Sequence, residues 1–444
     1  MLPKMNRKSF YKFLRQSSLI AVGAGMLAAS FTDAVKAQAV YLTDVEVRGA
    51  EFISEADILQ ACDIIPNFPY QDYDLAAIED CLMMTSVFEE VDVRTEDRTL
   101  VVEVQELNTR PGRLEASLAY ASVDGVIGSL YFERYNLFPQ TFGSLRLDFN
   151  TEIKRATASL YRNNLPAPGF GIGFDMHLAS LNYDDTSYTH EYARLEPYLA
   201  WSLNRNTRVE VGLGYRGHRQ SDIGAGASAL VVKEQTNGIS APYLRFGFNH
   251  SSDAVLDDAW DAAGFQFKFD QFFWNLGTND QLTDSRVAMS SYVPLGNDFR
   301  FLVSVSAGYV NGLDGNATRA IDRFFPGPTD LRGFSPRGLG PRHAGDALGG
   351  NKYAVASFEV QKKLDTMFKA PVYGGIFVDT GAAWSLDDTL GGVIDDSQRR
   401  RSSVGLSLTF NVANTPVSLY VAKPIEKEAG DQEQAFGLSF TARF

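Results

Sequence analysis

From about Arg110 to its end the chain alternates apolar residues with polar or very small ones, in runs of about ten residues. In SVGLSLTFNV, Val404, Leu406, Leu408, Phe410 and Val412 share one face of an extended strand, and Ser403, Gly405, Ser407, Thr409 and Asn411 share the other. FGSLRLDFN sets Leu145, Leu147 and Phe149 against Ser144, Arg146, Asp148 and Asn150. GFQFKFDQ sets Phe265, Phe267 and Phe269 against Gln266, Lys268 and Asp270, and FRFLVSVSAGYV aligns Phe299, Phe301, Val303, Val305, Ala307 and Tyr309. Sixteen such runs centre near residues 118, 130, 146, 159, 174, 196, 211, 244, 268, 288, 304, 357, 377, 406, 419 and 439. An even number closes a barrel with both ends of the chain on one side. A half-buried soluble β-sandwich also alternates, but its polar face meets bulk water and carries Lys and Glu. Here that face is Gly, Ser, Thr and Asn with scattered charges, as in a wide barrel lumen. Aromatic residues near strand ends, such as Phe272, Phe273 and Trp274, add the expectation of an interfacial girdle. Residues 110–444 are therefore expected to form a 16-stranded antiparallel transmembrane β-barrel.

Residues 39–107 keep another rhythm and are expected to form a separate small α/β domain. VYLTDVEVRG alternates, with Val45 and Val47 on one face, and Ser54 opens a helix with Asp57 three positions on, a capping-box variant. Ile58, Cys62 and Ile65 follow at helical spacing; a second helix from near Asp74 aligns Leu75, Ile78 and Leu82, with Cys81 beside that stripe. FEEVDVRTED and TLVVEVQEL then place Val91 with Val93, and Leu100 with Val102 and Val104. The expected order is β-α-α-β-β, one cysteine on each helix.

The first 37 residues belong to neither pattern. Lys4, Arg7, Lys8, Lys12 and Arg15 precede the apolar run Leu19–Phe31, and Val35-Lys36-Ala37 offers a small-x-small cleavage site. This three-part arrangement reads as a secretory signal peptide, the run being too short to span a bilayer; the alternative is a buried N-terminal helix. It carries six basic residues and one acidic one, so the rest of the chain has a formal charge of −18 against −13 for the whole. Such acidity argues against nucleic acid as a partner. No other segment approaches 18 continuous apolar residues, which leaves a closed barrel as the only means of crossing a membrane. Export into an oxidising compartment makes a Cys62–Cys81 disulfide the first expectation, with two unpaired buried thiols as the alternative.

Catalytic chemistry is not expected. There is no G-x-S-x-G or H-E-x-x-H, two cysteines cannot build a thiolate metal site, and His177, His190, His218, His250 and His343 are scattered. GFGIG at Gly169 to Gly173 precedes no helix, so it is read as a strand kink, with no cofactor implied.

One stretch demands more than a linker's chemistry. FFPGPTDLRGFSPRGLGPR, Phe324 to Arg342, lies between the eleventh and twelfth runs in a connection of about 40 residues, the longest in the chain. Four prolines and four glycines exclude a regular helix or central strand, yet three arginines and three phenylalanines accompany them.

This stretch resembles a known signature. Leu331-Arg332-Gly333-Phe334, followed by GLGPR at Gly338 to Arg342 and by Gly349-Gly350, is similar to the signature loop of the outer-membrane insertase and transporter superfamily that includes BamA, TamA and the two-partner-secretion transporters. GGIFVDTGAAW, Gly374 to Trp384, resembles that family's partner strand through Phe377, Asp379 and Gly381. ERYNLF at Glu133 to Phe138 and the segment from Asp253 to Gly264 resemble lesser landmarks, and residues 39–107 resemble a POTRA domain. The closing FGLSFTARF, with Phe436, Leu438, Phe440 and Phe444, resembles the C-terminal targeting strand of outer-membrane barrels. The resemblance implies that loop 312–351 folds back into the barrel and that Arg332 meets the inner face of the partner strand. The period of two independently permits this, since Phe377, Asp379 and Gly381 share a face opposite Ile376 and Val378. A solvated external loop whose arginines meet lipid head groups is the alternative. One POTRA unit is expected, where general insertases usually carry several. The implied partners are unfolded outer-membrane or secreted polypeptides, the lipid bilayer, and a periplasmic chaperone or accessory protein at the POTRA domain. The implied function is insertion or transport of unfolded chains at an outer membrane, with a transporter dedicated to one exported protein, or a passive pore, as alternatives.

Overall fold

The computed structural model describes residues 40–443 except 43, 51–52, 54, 86, 107–111, 122–123, 139, 168, 236–237, 257–261, 297, 368–369 and 413–414. The leader expected over 1–37, Ser54, Phe444 and the Phe440 side chain lie outside the described residues. The first structural unit comprises β1 (Val40–Leu42), β2 (Asp44–Arg48), α1 (Glu55–Ala61), β3 (Phe68–Tyr70), α2 (Asp72–Met84), β4 (Phe88–Glu96) and β5 (Thr99–Glu106). β2 pairs parallel with β5 and β5 antiparallel with β4, so the sheet runs β2-β5-β4 with an edge on each side. Ile58, Ile78 and Leu82 from the helices are buried against Val47, Val91, Val93, Leu100, Val102 and Val104. The strand stripes and the second helical stripe are as the periodicities predict, but the first is cut short: α1 ends at Ala61, so Cys62 and Ile65 lie beyond it and Ile65 is exposed.

The expected first strand is in fact two. Val40–Leu42 pairs with Phe68–Tyr70, between the helices, whereas Asp44–Arg48 pairs with β5. Leu42 and Val47 reach the same core from positions of opposite parity, as two strands with different partners can and one continuous strand cannot. α2 starts at Asp72, with Asp74 accepting the Gln71 N–H at 2.8 Å, two residues before the expected start. Cys62, one residue past α1, is disulfide-bonded to Cys81 in α2. On the sheet's other face Arg48 and Arg94 bridge Glu46, Asp92, Glu96 and Glu103, and Val101 beneath them is fully buried.

Sixteen antiparallel strands then close a barrel. They are β6 (Gly112–Ala121), β7 (Gly125–Phe138), β8 (Thr141–Phe149), β9 (Ile153–Asn163), β10 (Phe170–Leu181), β11 (Thr189–Asn204), β12 (Thr207–Ser221), β13 (Ile239–Ser251), β14 (Gly264–Trp274), β15 (Leu282–Pro294), β16 (Phe299–Gly312), β20 (Lys352–Met367), β21 (Ala370–Trp384), β22 (Arg401–Val412), β23 (Thr415–Glu426) and β25 (Phe436–Arg443). Between them lie four two-residue strands: β17 (Gly333–Phe334), β18 (Arg342–His343), β19 (Asp346–Ala347) and β24 (Glu433–Gln434). Every one of the sixteen expected runs is a barrel strand. The near end of the barrel, where the chain enters at Gly112, carries tight turns such as 205–206. The far-end connection after β12 holds the short helix α3 (Ala229–Lys233), and one longer near-end connection, after β13, holds α4 (Asp253–Leu256). The other long connections, 222–238, 313–351 and 385–400, are at the far end.

The girdle reading is corrected in part. Phe273 faces outward, but Phe272 and Trp274 point into the lumen, stacked 4.5 Å apart beside buried Tyr243. The period of two that puts Phe265, Phe267 and Phe269 outside requires this, since even-numbered positions of β14 face inward. At the far end Tyr188, Leu230, Val231, Ala320, Leu348, Leu386 and Ile394, drawn from four loops, bury one another in a hydrophobic core separate from the strands. That core ties the far-end loops to one another.

Candidate functional site

While Ala320 and Leu348 of the long connection 313–351 join the far-end core, its middle turns back into the lumen, where its apolar residues find other partners. Leu331, Phe334 and Leu339 are buried against Val355 of β20 and Ala383 of β21. Between them Arg332 meets the inner wall. Its backbone N–H and Nε donate to Asp379 Oδ2 at 3.0 and 2.8 Å, and its Nη2 donates to Asp379 Oδ1 at 2.9 Å. This is a bidentate pair, the geometry at which guanidinium outperforms ammonium. Nη1 donates to Glu359 Oε2 at 2.6 Å and Nη2 to Ser357 Oγ at 3.0 Å, while the Arg332 carbonyl accepts from the Ser403 hydroxyl. The Arg332 guanidinium also stacks 3.3 Å from the centre of the Phe377 ring.

Asp379 is fully buried and Phe377 nearly so, whereas Ile376 and Val378 face outward. Burial makes the pair strongly held in one sense: an aspartate with no water around it needs every donor it has. Ser357 supplies another, donating to Asp379 Oδ1 at 2.6 Å, and Ser407 donates to Glu359 Oε1 at the same distance. Gly381 lies one inward step beyond Asp379; a Cβ there would meet Val355 at 2.7 Å and Leu331 at 3.1 Å, so what it admits is Leu331. Gly405 is the tighter case, because a Cβ would stand 2.3 Å from both the Phe377 ring and the Val421 carbonyl. The ring that supports Arg332 lies flat only because that position has no side chain.

Of the residues singled out in the sequence, Arg332, Phe377, Asp379 and Gly381 thus meet in one place. Gly333 and Phe334 instead form β17, which pairs with β24 just before the last strand. Phe436 and Leu438 lie on β25 with their side chains exposed on the outer face. Glu359, Ser357, Ser403 and Ser407 were not anticipated, although the polar face of SVGLSLTFNV already aligned the last two. Glu359 had a plainer signal: a carboxylate facing a barrel lumen two positions from a serine on the same face. A second inner network, in which Arg245 of β13 bridges Glu196, Glu210 and Asp270, was also not foreseen.

Fold and site together define a class: a membrane barrel whose lumen is occupied by its own longest loop, locked by a half-buried arginine to a buried aspartate in the wall. An Omp85 superfamily domain matches residues 139–444, and the chain belongs to that superfamily. Outer membrane protein assembly factor BamA of Neorickettsia risticii (strain Illinois) is 23% identical over 424 residues, covering 90% of this chain and 53% of that protein. The chain therefore spans about half the length of this relative. Among solved structures, BamA from Haemophilus ducreyi lacking POTRA domains 1–3 superposes with a TM-score of 0.68 at 17% identity, over 91% of this chain and 85% of that one. CdiB from Escherichia coli gives 0.59 at 11% identity, over 98% and 97%. The resemblance read from the sequence holds at the level of family and fold, and an outer-membrane barrel is what both describe.

Proposed function

We propose that this chain inserts unfolded polypeptides into, or moves them across, an outer membrane, without catalysis or cofactor. The observation that carries this is an asymmetry in the wall. The first and last strands, β6 and β25, are registered over the six pairs from Leu438/Tyr120 to Arg443/Glu115 among the described residues. β15 and β16, by comparison, are registered continuously from Leu282/Gly312 to Pro294/Arg300. A short ladder between strands distant in sequence is where a barrel parts at least cost, exposing backbone donors and acceptors that any extended chain can use. Residues 40–106 would serve as the POTRA domain on the periplasmic side, offering β2 or β4 as an edge for incoming chain or for an accessory protein. Phe436, Leu438, Phe440 and Phe444 would then form the strand that directs the protein's own insertion.

Insertion through the seam is the reading favoured over a passive pore, because four far-end loops are packed on one another in a shared hydrophobic core and the segment around Arg332 is fastened inside the lumen. A transporter dedicated to one exported protein is the second reading, favoured by the fold match to CdiB over nearly the full length of both chains. Quantitative proteomics of outer membrane and culture medium, with and without this protein, separates them. Depletion of many barrels is the expected result, loss of one secreted protein would establish the second reading, and no change in either fraction would overturn both.

A further inference from the structure

The loop that Arg332 anchors also touches the segments that flank both strands of the seam, and it does so within four residues. On one side the Ser335 N–H donates to the Gln432 carbonyl at 3.0 Å, the Ser335 hydroxyl to the Glu433 carbonyl at 3.0 Å, and the Gln432 N–H to the Gly338 carbonyl at 2.8 Å. This holds the segment that leads directly into β25. On the other side Arg337 Nη2 reaches Asp124 Oδ1 at 2.5 Å, in the turn that ends β6, while its Nε donates to Asp185 Oδ1 at 2.8 Å. The guanidinium lies 3.5 Å from the centre of the Tyr183 ring, and Arg337 and Asp124 are each 7% exposed. Arg337 holds φ at +55°, a conformation costly for a residue with a Cβ and kept only where the surroundings enforce it. Asp124 is fixed in turn, its carbonyl accepting from Asn150 Nδ2 at 2.6 Å.

We propose that residues 335–338 are a latch across the far end of the seam, with Arg337 the positioning residue that decides how readily β6 and β25 part. β25 cannot swing away from β6 while its lead-in is bonded to the loop and the loop is bonded to Asp124. Asp185 plays a different part, since it ties Arg337 to the neighbouring loop and not to either seam strand. The latch rests on the reading that the seam opens. Its test therefore measures opening itself, so that the latch can fail while client handling stands, and the reverse.

The experiment is potassium chloride conductance of the full-length protein in planar bilayers, scored as the frequency of large openings. Arg337→Gln and Asp124→Asn are each expected to raise that frequency about tenfold or more, as breaking a buried charge pair does for dissociation rates. Asp185→Asn should raise it far less. The double exchange Arg337→Asp with Asp124→Arg should return it toward the starting value, which mere damage to the loop would not. Adding Tyr120→Cys and Leu438→Cys, which face each other in register, and oxidising them should cancel the gain. Unchanged frequency in both Arg337→Gln and Asp124→Asn would overturn the proposal, as would a gain that survives the cross-link. Asp124→Asn alters no volume and no ladder bond, so it carries the test even if the Arg337 variant does not assemble.

Discussion

Two neighbouring stretches of this barrel's wall are built to different standards. In the wall where the loop docks, β20 and β21 are registered from Lys352/Trp384 to Met367/Ala370, and β21 and β22 from Val372/Phe410 to Gly381/Arg401. Three of its strands add side chains that hold Arg332: Ser357 and Glu359 from β20, Asp379 from β21, and Ser403 from β22. Two strands further round, beyond β23, the last strand shares only five pairs with β23 and six with β6 among the described residues. At a net worth of about 1 kcal/mol per ladder hydrogen bond, a few missing pairs amount to several kcal/mol. The lesson is a division of labour: one wall is a fixed frame to which the loop is fastened, and the other is the part that yields.

The largest effect should come from abolishing the difference. Oxidised Tyr120→Cys and Leu438→Cys would make the weak seam as permanent as the frame, and client handling in cells should stop while the barrel remains assembled. Because Cys62 and Cys81 are already bonded, the parent protein under the same oxidant and reductant is the control. Outer-membrane proteins accumulating at the normal rate behind a closed seam would mean that β6 and β25 are not the working edge.

Next comes the fastening. Arg332→Ala leaves Asp379 and Glu359 in the wall with no cation, and breaking a buried pair in this way costs about 3–5 kcal/mol. The docked-to-free ratio of the loop should fall by roughly a hundredfold or more, while ladder bonds are untouched. Limited proteolysis between Phe324 and Arg342 reads this directly, and electrophoretic mobility of unheated protein shows whether the barrel is closed. A loop no more sensitive to protease than in the parent would show that the apolar contacts of Leu331, Phe334 and Leu339 suffice. Gly405→Val should act on the same wall more gently. It drives the Phe377 ring out of its place beneath Arg332, an overpacking worth about 1–3 kcal/mol, and should give protease sensitivity between the parent and Arg332→Ala.

The same contrast separates what could be read in the sequence from what could not. The loop that meets Asp379 is implied by the family resemblance and only permitted by the period, whereas strand number and the in-facing Asp379 follow from a period of two and from composition, which are local. The partners of Arg337 do not, since Asp124 and Asp185 lie 213 and 152 positions away and nothing near them marks a contact. For the same reason Val40–Leu42 could not be told from the strand that follows it, and the unevenness of the ladders stayed hidden: register is a property of two strands. Phe272 and Trp274 are the opposite case, where the alternation already held the answer and the habit of reading aromatics as an interface overrode it.

The smallest effect is the most specific about the frame. One guanidinium faces two carboxylates, and they are not equivalent. Asp379 receives Nε, Nη2 and the backbone N–H of Arg332, whereas Glu359 receives Nη1 alone and is otherwise satisfied by Ser407 and Gln361. Glu359→Gln keeps an acceptor oxygen for Arg332 and gives up only a charge. The site still holds one cation and one anion, so docking should weaken by about 1 kcal/mol, whereas Asp379→Asn loses the bidentate acceptor and should approach Arg332→Ala. Ranking the three variants by protease sensitivity decides between a specific fork and a diffuse negative field. Equal sensitivity of Glu359→Gln and Asp379→Asn would mean that the loop is held by the wall's summed charge, and the frame would then be far less particular than its geometry.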